Sequence, residues 1–317
     1  MYKLRVVVDK NIPYLKGLLE PYAEVLYVPQ EAFTPDVVRD ADALLIRTRT
    51  RCNGALLDGS KVQFIGTGTI GFDQIDTAYC ARQGITWTNS PGCNAQGVCD
   101  YVESALEYAG RKTSAGLTDK TLGIVGVGHV GKLVAEMAKR RGLQVLLCDP
   151  PRAEKEGAAG FVGLDEIERR CDIITFHTPL TREGKHPTWH LETCRNLRPD
   201  TLLINAARGG VVDEQALQEA GNPFVIDCWE GEPNANPVMV EKALLATYHI
   251  AGYTQRGKYN ASQMILTALC RHFGLPELTI PNPPADAPHI WDIEAVSRQL
   301  KAHPENFETL RETYPLR

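Results

Sequence analysis

The chain has 317 residues, 43% of them hydrophobic and 23% charged, with a net charge of −5 at pH 7. That length predicts two domains with room for a small third piece, and the acidic balance argues against a nucleic-acid or membrane-surface protein. The nine cysteines (Cys52, Cys80, Cys93, Cys99, Cys148, Cys171, Cys194, Cys228 and Cys270) are scattered, with no C-x-x-C pair; with no apolar leader in "MYKLRVVVDK", they read as reduced, mostly buried thiols of a cytoplasmic protein.

In chain order, "LRVVVD", "AEVLYV", "ALLIR", "KVQFIGT" and "ITWTN" are short apolar runs expected to be strands. "IPYLKGLLEPY", "PDVVRD" and "DTAYCARQ" between them are expected to be helices, giving a small parallel α/β domain. The first of these strands to end oddly is "ALLIRTRTRC": Arg47, Arg49 and Arg51 alternate, so a strand continuing through them would put all three on one face, where an anion could offset their repulsion. A strand ending at Arg47 would instead leave a solvated loop, the commoner fate of a charge run. Pro91 and Gly92 punctuate next, and "AQGVCDYVESALEYAGRK" predicts a long helix able to link two domains. A second series of strands follows in "TLGIVG", "QVLLCD", "DIITFH", "TLLINA" and "FVIDCW", with helices between, then "LATYHIAGYT" as a strand and turn. A helix near 256–273, the Pro-rich "LPELTIPNPPADAPH" and two short helical patterns, "IEAVSRQLKAH" and "NFETLRETY", complete the chain.

Gly126, Gly128 and Gly131 form a G-x-G-x-x-G spacing between an apolar strand and an amphipathic helix. The first glycine permits a tight turn, the second close approach of a pyrophosphate, and the third close helix–strand packing, while the helix N-terminus offers N–H groups to phosphate. Asp149 ends the next strand, 18 residues after Gly131, where it can accept from ribose hydroxyls and repel a 2′-phosphate; NAD is therefore favoured over NADP, with nearby Arg152 as the counter-argument.

Three features follow strand ends, the side on which an open α/β sheet binds ligands. Arg208 lies in the small-residue turn of "INAARGGVVDE" and can grip a carboxylate by two parallel hydrogen bonds. Glu230 and Glu232 follow Asp227 in "VIDCWEGEP", and a carboxylate beside an imidazole orients it and raises its pKa. His249 in "TYHIAGYT" sits before a glycine turn, although His177 in "FHTPL" is placed alike, and position alone does not choose between them. Each alone is more often a surface charge, a solvated loop or a core histidine. Together they suggest hydride transfer from a hydroxy acid, with Arg208 on the carboxylate, His249 taking the hydroxyl proton and Glu232 stabilising the imidazolium.

With those residues in this order, the chain resembles the D-2-hydroxyacid dehydrogenase family. The resemblance rests on "GTGTIGFDQID", "PGCNA", "GIVGVGHVGK", "LLCDPPRA", "DIITFHTPLTREGKH", "LINAARGGVVD", "DCWEGEP" and "HIAGYT", and covers about residues 1–270. It implies an α/β protein with two doubly wound parallel-sheet domains: a Rossmann-type NAD domain over 93–249 and a flavodoxin-like substrate domain over 1–92, completed by about 250–275. A short C-terminal segment, 276–317, would be the remnant of a dimerisation domain, and a homodimer is expected. The resemblance places catalysis on Arg208, Glu232 and His249. It places NAD contacts on Gly126, Gly128, His129, Val130, Gly131, Asp149, Thr178, Ala206, Asp227 and Gly252. Substrate contacts fall on Thr48, Thr69 and Tyr253, and Thr48 inside "RTRTR" draws Arg47 in as an anion contact. The implied substrate is a small phosphorylated 2-hydroxy acid bound in a cleft, with no metal, nucleic acid or membrane. A family relative with another substrate, such as 3-phosphoglycerate or hydroxypyruvate, and a non-catalytic NAD-binding corepressor-like protein are the competing readings.

Overall fold

The computed structural model describes residues 3–112, 116–180 and 197–317. Cys194 and residues 181–186 of the "DIITFHTPLTREGKH" stretch lie outside the described residues. In chain order the first elements are β1 (Leu4–Asp9), β2 (Ala23–Val28), α1 (Pro35–Val38), β3 (Ala43–Ile46), α2 (Gly54–Leu57), β4 (Phe64–Thr67), α3 (Thr77–Gln83) and β5 (Thr86–Thr88). Then come α4 (Ala95–Lys112), β6 (Thr121–Val125), α5 (His129–Arg140), β7 (Gln144–Cys148), α6 (Pro150–Glu156), α7 (Leu164–Arg170), β8 (Ile173–Phe176) and β9 (Leu202–Asn205). The rest are α8 (Glu214–Ala220), β10 (Phe224–Ile226), α9 (Pro237–Lys242), β11 (Leu245–Ala246), α10 (Gln255–Phe273), α11 (Ile293–Ala302) and α12 (Phe307–Thr313).

The chain divides into two compact units. The first takes the chain up to Asn94 together with Thr254–Ala287; the second takes Ala95–Tyr253 and Pro288–Arg317. The first holds a parallel five-stranded sheet in the order β2-β1-β3-β4-β5, the flavodoxin-like winding. The two-residue period of a strand sorts its side chains into two cores. Val7, Leu44, Ile46 and Ile65 face one layer. Val6, Val8, Ala43, Leu45 and Phe64 face the other, where α10 contributes Ile265, Leu266 and Leu269. Thr254 caps α10 by accepting from Gly257 N, and Gly274 ends it in the left-handed conformation.

Two sequence expectations fail in this unit. "IPYLKGLLEPY" is a run of turns rather than a helix: Tyr14 and Gly17 take φ of 68° and 90°, which breaks any helical path, while Leu15 and Leu19 still reach the core. The arginine alternation does not continue a strand either. β3 ends at Ile46, and residues 47–51 are a loop in which Thr48, Arg49 and Arg51 are exposed and Arg47 is half-buried. Four apolar residues are enough to cross this sheet, and the following polar loop turns Thr48, Arg49 and Arg51 outward while Thr50 is buried.

The second unit holds a parallel six-stranded sheet in the order β11-β10-β9-β8-β6-β7. Past the β7 edge the chain returns to place one bond, Val162 N to Leu147 O at 2.8 Å, without forming another strand. Helices cover both faces: α4 and α5 pack on Leu122 and Ile124, and α7 and α8 on Ile174 and Phe176. Residues 288–317 pack onto the β11 side of this same unit. Ser297 Oγ accepts from Ala246 N, Gln299 Oε1 accepts from the Tyr248 hydroxyl, and Arg317 donates to Ala251 O. No helix among the described residues is long and apolar enough to cross a membrane.

Candidate active site

The dinucleotide loop is built as the spacing requires. Gly126 has a φ of 89°, and a β-carbon there would lie 2.7 Å from the His177 backbone and 2.9 Å from Thr178 Cγ2. A β-carbon on Gly131 would lie 2.1 Å from Gly126 O, so only glycine lets α5 start this close to β6. Gly128 differs: a β-carbon there would meet nothing within 4 Å. Nothing among the described residues crowds this helix entry, and the open space in front of the exposed Gly128 and His129 and the half-buried Val130 fits a phosphate group.

Asp149 Oδ2 accepts from Val127 N at 2.8 Å and Oδ1 from Arg152 N at 3.1 Å, so the acid braces the glycine loop and caps α6. Arg152 is held by both carboxylate oxygens of Glu156, at 2.9 and 2.6 Å, and donates to Val127 O. Arg152, the nearby cation that argued for a 2′-phosphate, is thus already paired. Thr178 follows β8 and the buried Ala206 follows β9, both at the carboxyl edge of the sheet.

Asp227, at the end of β10, is fully buried. Its Oδ1 accepts from the Thr247 hydroxyl at 2.6 Å and from Ile250 N at 2.9 Å, and its Oδ2 accepts from Ala251 N at 2.9 Å. His249 N donates to Asp227 O. One buried carboxylate therefore shapes the whole turn from Thr247 to Gly252. The expected strand through "LATYH" stops at Ala246, and His249 takes a φ of 58° in that turn.

The turn aims the imidazole at Glu232. His249 Nδ1 and Glu232 Oε2 are 2.7 Å apart, while Glu232 Oε1 accepts from Trp229 N at 2.8 Å. Burial lowers the His249 pKa, but the Cys228 sulphur and the Glu232 carboxylate outweigh it, and the group is held well above its ordinary value. Burial also pushes the Cys228 thiol up, so the carboxylate is the partner that acts near neutral pH. His177 contrasts with it. Its Nε2 lies 3.1 Å from the Thr175 hydroxyl, and burial pushes its pKa down to about 3, so it stays neutral. The structure thus separates the two histidines that the sequence left equal.

Arg208 occupies the turn after β9, stitched to the Glu232 loop. Asn205 Nδ2 donates to Arg208 O at 2.9 Å and to Cys228 O at 3.3 Å, and a β-carbon on Gly209 would lie 1.9 Å from Trp229 O. Arg208 Nη1 donates to Ala207 O. Asn205 and Trp229 were not singled out from sequence; a buried asparagine at a strand end was the available signal. Glu214 was also missed: it is buried, accepts from Glu230 N at 2.6 Å, and burial pushes its pKa up to about 7. Tyr253, at the end of the His249 turn, is half-buried. Arg47, Thr48 and Thr69 belong to the first unit. There the Thr69 hydroxyl donates to Gly71 O and lies 2.7 Å from the Thr67 hydroxyl, and Arg47 O accepts from Gln74 Nε2 at 3.4 Å.

A glycine loop after β6 of a parallel sheet and a carboxylate-paired histidine after β11, four strands away, define the class of nicotinamide-dependent dehydrogenases. Residues 99–251 match the family model described as D-isomer specific 2-hydroxyacid dehydrogenase, NAD binding domain. A protein of Bacteroides fragilis named erythronate-4-phosphate dehydrogenase is 47% identical over an alignment 336 positions long, covering 99% of this chain and 97% of that one. One of that name from Azotobacter vinelandii is 42% identical, covering 86% of this chain and 74% of its own. Among solved structures, the NAD⁺-bound 3-phosphoglycerate dehydrogenase of Entamoeba histolytica superposes with a TM-score of 0.72 at 26% identity, over 86% of this chain and 96% of that one. The chain belongs to the D-isomer specific 2-hydroxyacid dehydrogenase family, in its erythronate-4-phosphate dehydrogenase group. NAD is its cofactor, and the uncrowded backbone at Gly128 and the paired Arg152 fit it.

Proposed function

We propose that this enzyme oxidises 4-phospho-D-erythronate at its 2-hydroxyl to 3-hydroxy-2-oxo-4-phosphooxybutanoate, a step of pyridoxal 5′-phosphate biosynthesis. The observation that carries the chemistry is the 2.7 Å contact of His249 Nδ1 with Glu232. It fixes the proton on Nδ1 and leaves Nε2 as the acceptor of the substrate hydroxyl proton. NAD⁺, when bound, supplies the hydride acceptor for the C2 hydrogen. Glu232 offsets the positive charge that His249 gains, and Arg208 holds the substrate carboxylate. Asp227 keeps the His249 turn in place through its three side-chain bonds. Gly126, Gly128, His129, Val130, Gly131, Asp149, Thr178, Ala206, Asp227 and Gly252 are read as cofactor contacts. Arg47, Thr48, Thr69 and Tyr253 are read as substrate contacts, with Arg47 on the phosphate.

We read the protein as cytoplasmic, in keeping with eight free, buried cysteines among the described residues, and as a homodimer, which sedimentation would check. The test of function is oxidation of 4-phospho-D-erythronate beside 3-phosphoglycerate and glycerate, following both NADH and the 2-oxo product, with a 2-keto acid in a parallel run. Preference for 4-phospho-D-erythronate supports the proposal. Preference for 3-phosphoglycerate would keep the chemistry and replace the substrate.

A further inference from the structure

Three ligand-type side chains converge at the catalytic centre, the histidine among them, and the reaction uses only two of the three. Cys228 Sγ, a Glu232 carboxylate oxygen and a His249 ring nitrogen all lie within 4.8 Å of one another. The nitrogen facing Glu232 is Nδ1. Cys228 is 1% exposed, whereas Glu232 and His249 are half-buried, with side chains 19% and 31% exposed, so the cluster is closed on the thiol side and open on the other. Three protein ligands of S, N and O type with one open side form the donor set of a tetrahedral zinc site that keeps a position for water.

We propose that Cys228, Glu232 and His249 Nδ1 form an inhibitory binding site for Zn²⁺ and similar thiophilic divalent cations. The charges balance, since one thiolate and one carboxylate neutralise the ion, which suits a partly buried location. A tetrahedral ion with Zn–N near 2.0 Å and Zn–O near 2.1 Å needs its ligands roughly 3.3 Å apart, so the 2.7 Å His249–Glu232 pair opens slightly while the thiol closes in. The Asp227 carboxylate, 4.0 Å from Sγ, stays engaged with the Thr247–Ala251 turn.

The inhibition follows from counting protons, and it rests on the reading of His249 as the base. The metal takes the place of the Nδ1 proton. The Cys228 thiol gives its proton to solvent as the Zn–S bond forms. The imidazole, still neutral overall, carries its one proton on Nε2, where it can no longer accept the substrate's. No oxidation or reduction is involved.

The experiment uses the full chain and two readouts. Turnover of 4-phospho-D-erythronate is measured against added ZnCl₂, with EDTA to reverse it. Binding is measured without turnover by titrating Co²⁺ and following the near-ultraviolet charge-transfer band of a cobalt–thiolate bond. Reversible inhibition by Zn²⁺ and a cobalt–thiolate band are expected in the unmodified enzyme. Both should be lost or weakened roughly 10-fold or more in Cys228→Ser, with turnover in EDTA retained. Cys228→Ala serves if the serine variant does not fold. Zinc inhibition equal in enzyme and variant, or no band with an active enzyme, would overturn the site. A cobalt band that depends on Cys228 in a protein without turnover would support the metal site while the functional reading failed.

Discussion

A general base must be neutral to accept a proton, and Glu232 holds His249 protonated to higher pH than an ordinary histidine. The rate of hydroxy-acid oxidation should therefore fall as pH drops through a pKa above 6.5, and Glu232→Gln should move that limb to lower pH. Turnover in Glu232→Gln should also drop about 10- to 100-fold, since the imidazolium loses its counter-charge; kcat/KM profiles from pH 5 to 10 check both. His249→Ala should lower turnover about 10²–10⁴-fold with NADH binding, read by nicotinamide fluorescence, nearly intact. Loss of NADH binding instead would put His249 in the cofactor site. Glu214 gives a separate pH signature. Its pKa is about 7 in the folded protein, so the native state keeps a proton that the unfolded chain releases from about 4.5 upward. Stability should decline from about pH 4.5 to 7 by on the order of 3 kcal/mol and then level off. In Glu214→Gln, whose amide oxygen can still accept from Glu230 N, urea unfolding across that range should lose this decline.

Elements differ in how far the sequence discloses them. The glycine loop was legible because each glycine answers a local need: a left-handed turn at Gly126, close packing at Gly131, an opening at Gly128. Gly131→Ala would drive a β-carbon into backbone rather than into a side chain that can move. It should cost about 1–3 kcal/mol and weaken NADH binding, both measurable as melting shifts with and without NADH. The Glu232–His249 pairing was legible too, since both residues lie in loops that follow strands of one sheet. What stayed hidden was made by strands adjacent in space. Asn205 reaches Cys228, and Asp227 reaches Thr247, Ile250 and Ala251, across registers that no local pattern encodes. "RTRTR" shows the opposite error. Alternation suggested a strand face, but β3 had already ended at Ile46. "IPYLKGLLEPY" misled similarly: its leucines are spaced for a core, yet Pro13 and the left-handed Tyr14 and Gly17 rule out the helix.

At the scale of the whole molecule, the chain leaves the second unit at Tyr253 and returns to it at Pro288. The returning segment supports the strand that leads to His249, through Ser297, Gln299 and Arg317. Phe307 anchors it, fully buried among Trp229, Tyr248 and Ile250 in the second unit's core. Phe307→Ala should destabilise the second unit by about 3–5 kcal/mol, seen as an earlier urea transition with turnover reduced before global unfolding. The buried cysteines carry a consequence of their own. Among the described residues, Cys52, Cys80, Cys93 and Cys270 lie in the first unit and Cys99, Cys148, Cys171 and Cys228 in the second. Cys52, Cys80 and Cys270 sit inside the first unit's cores and Cys99, Cys148 and Cys171 inside the second's, so an alkylating reagent can reach these six only when that core opens. Six natural reporters, three to a unit, make the protein its own stopwatch: mass spectrometry of timed alkylation would read whether the two halves open together or on separate clocks.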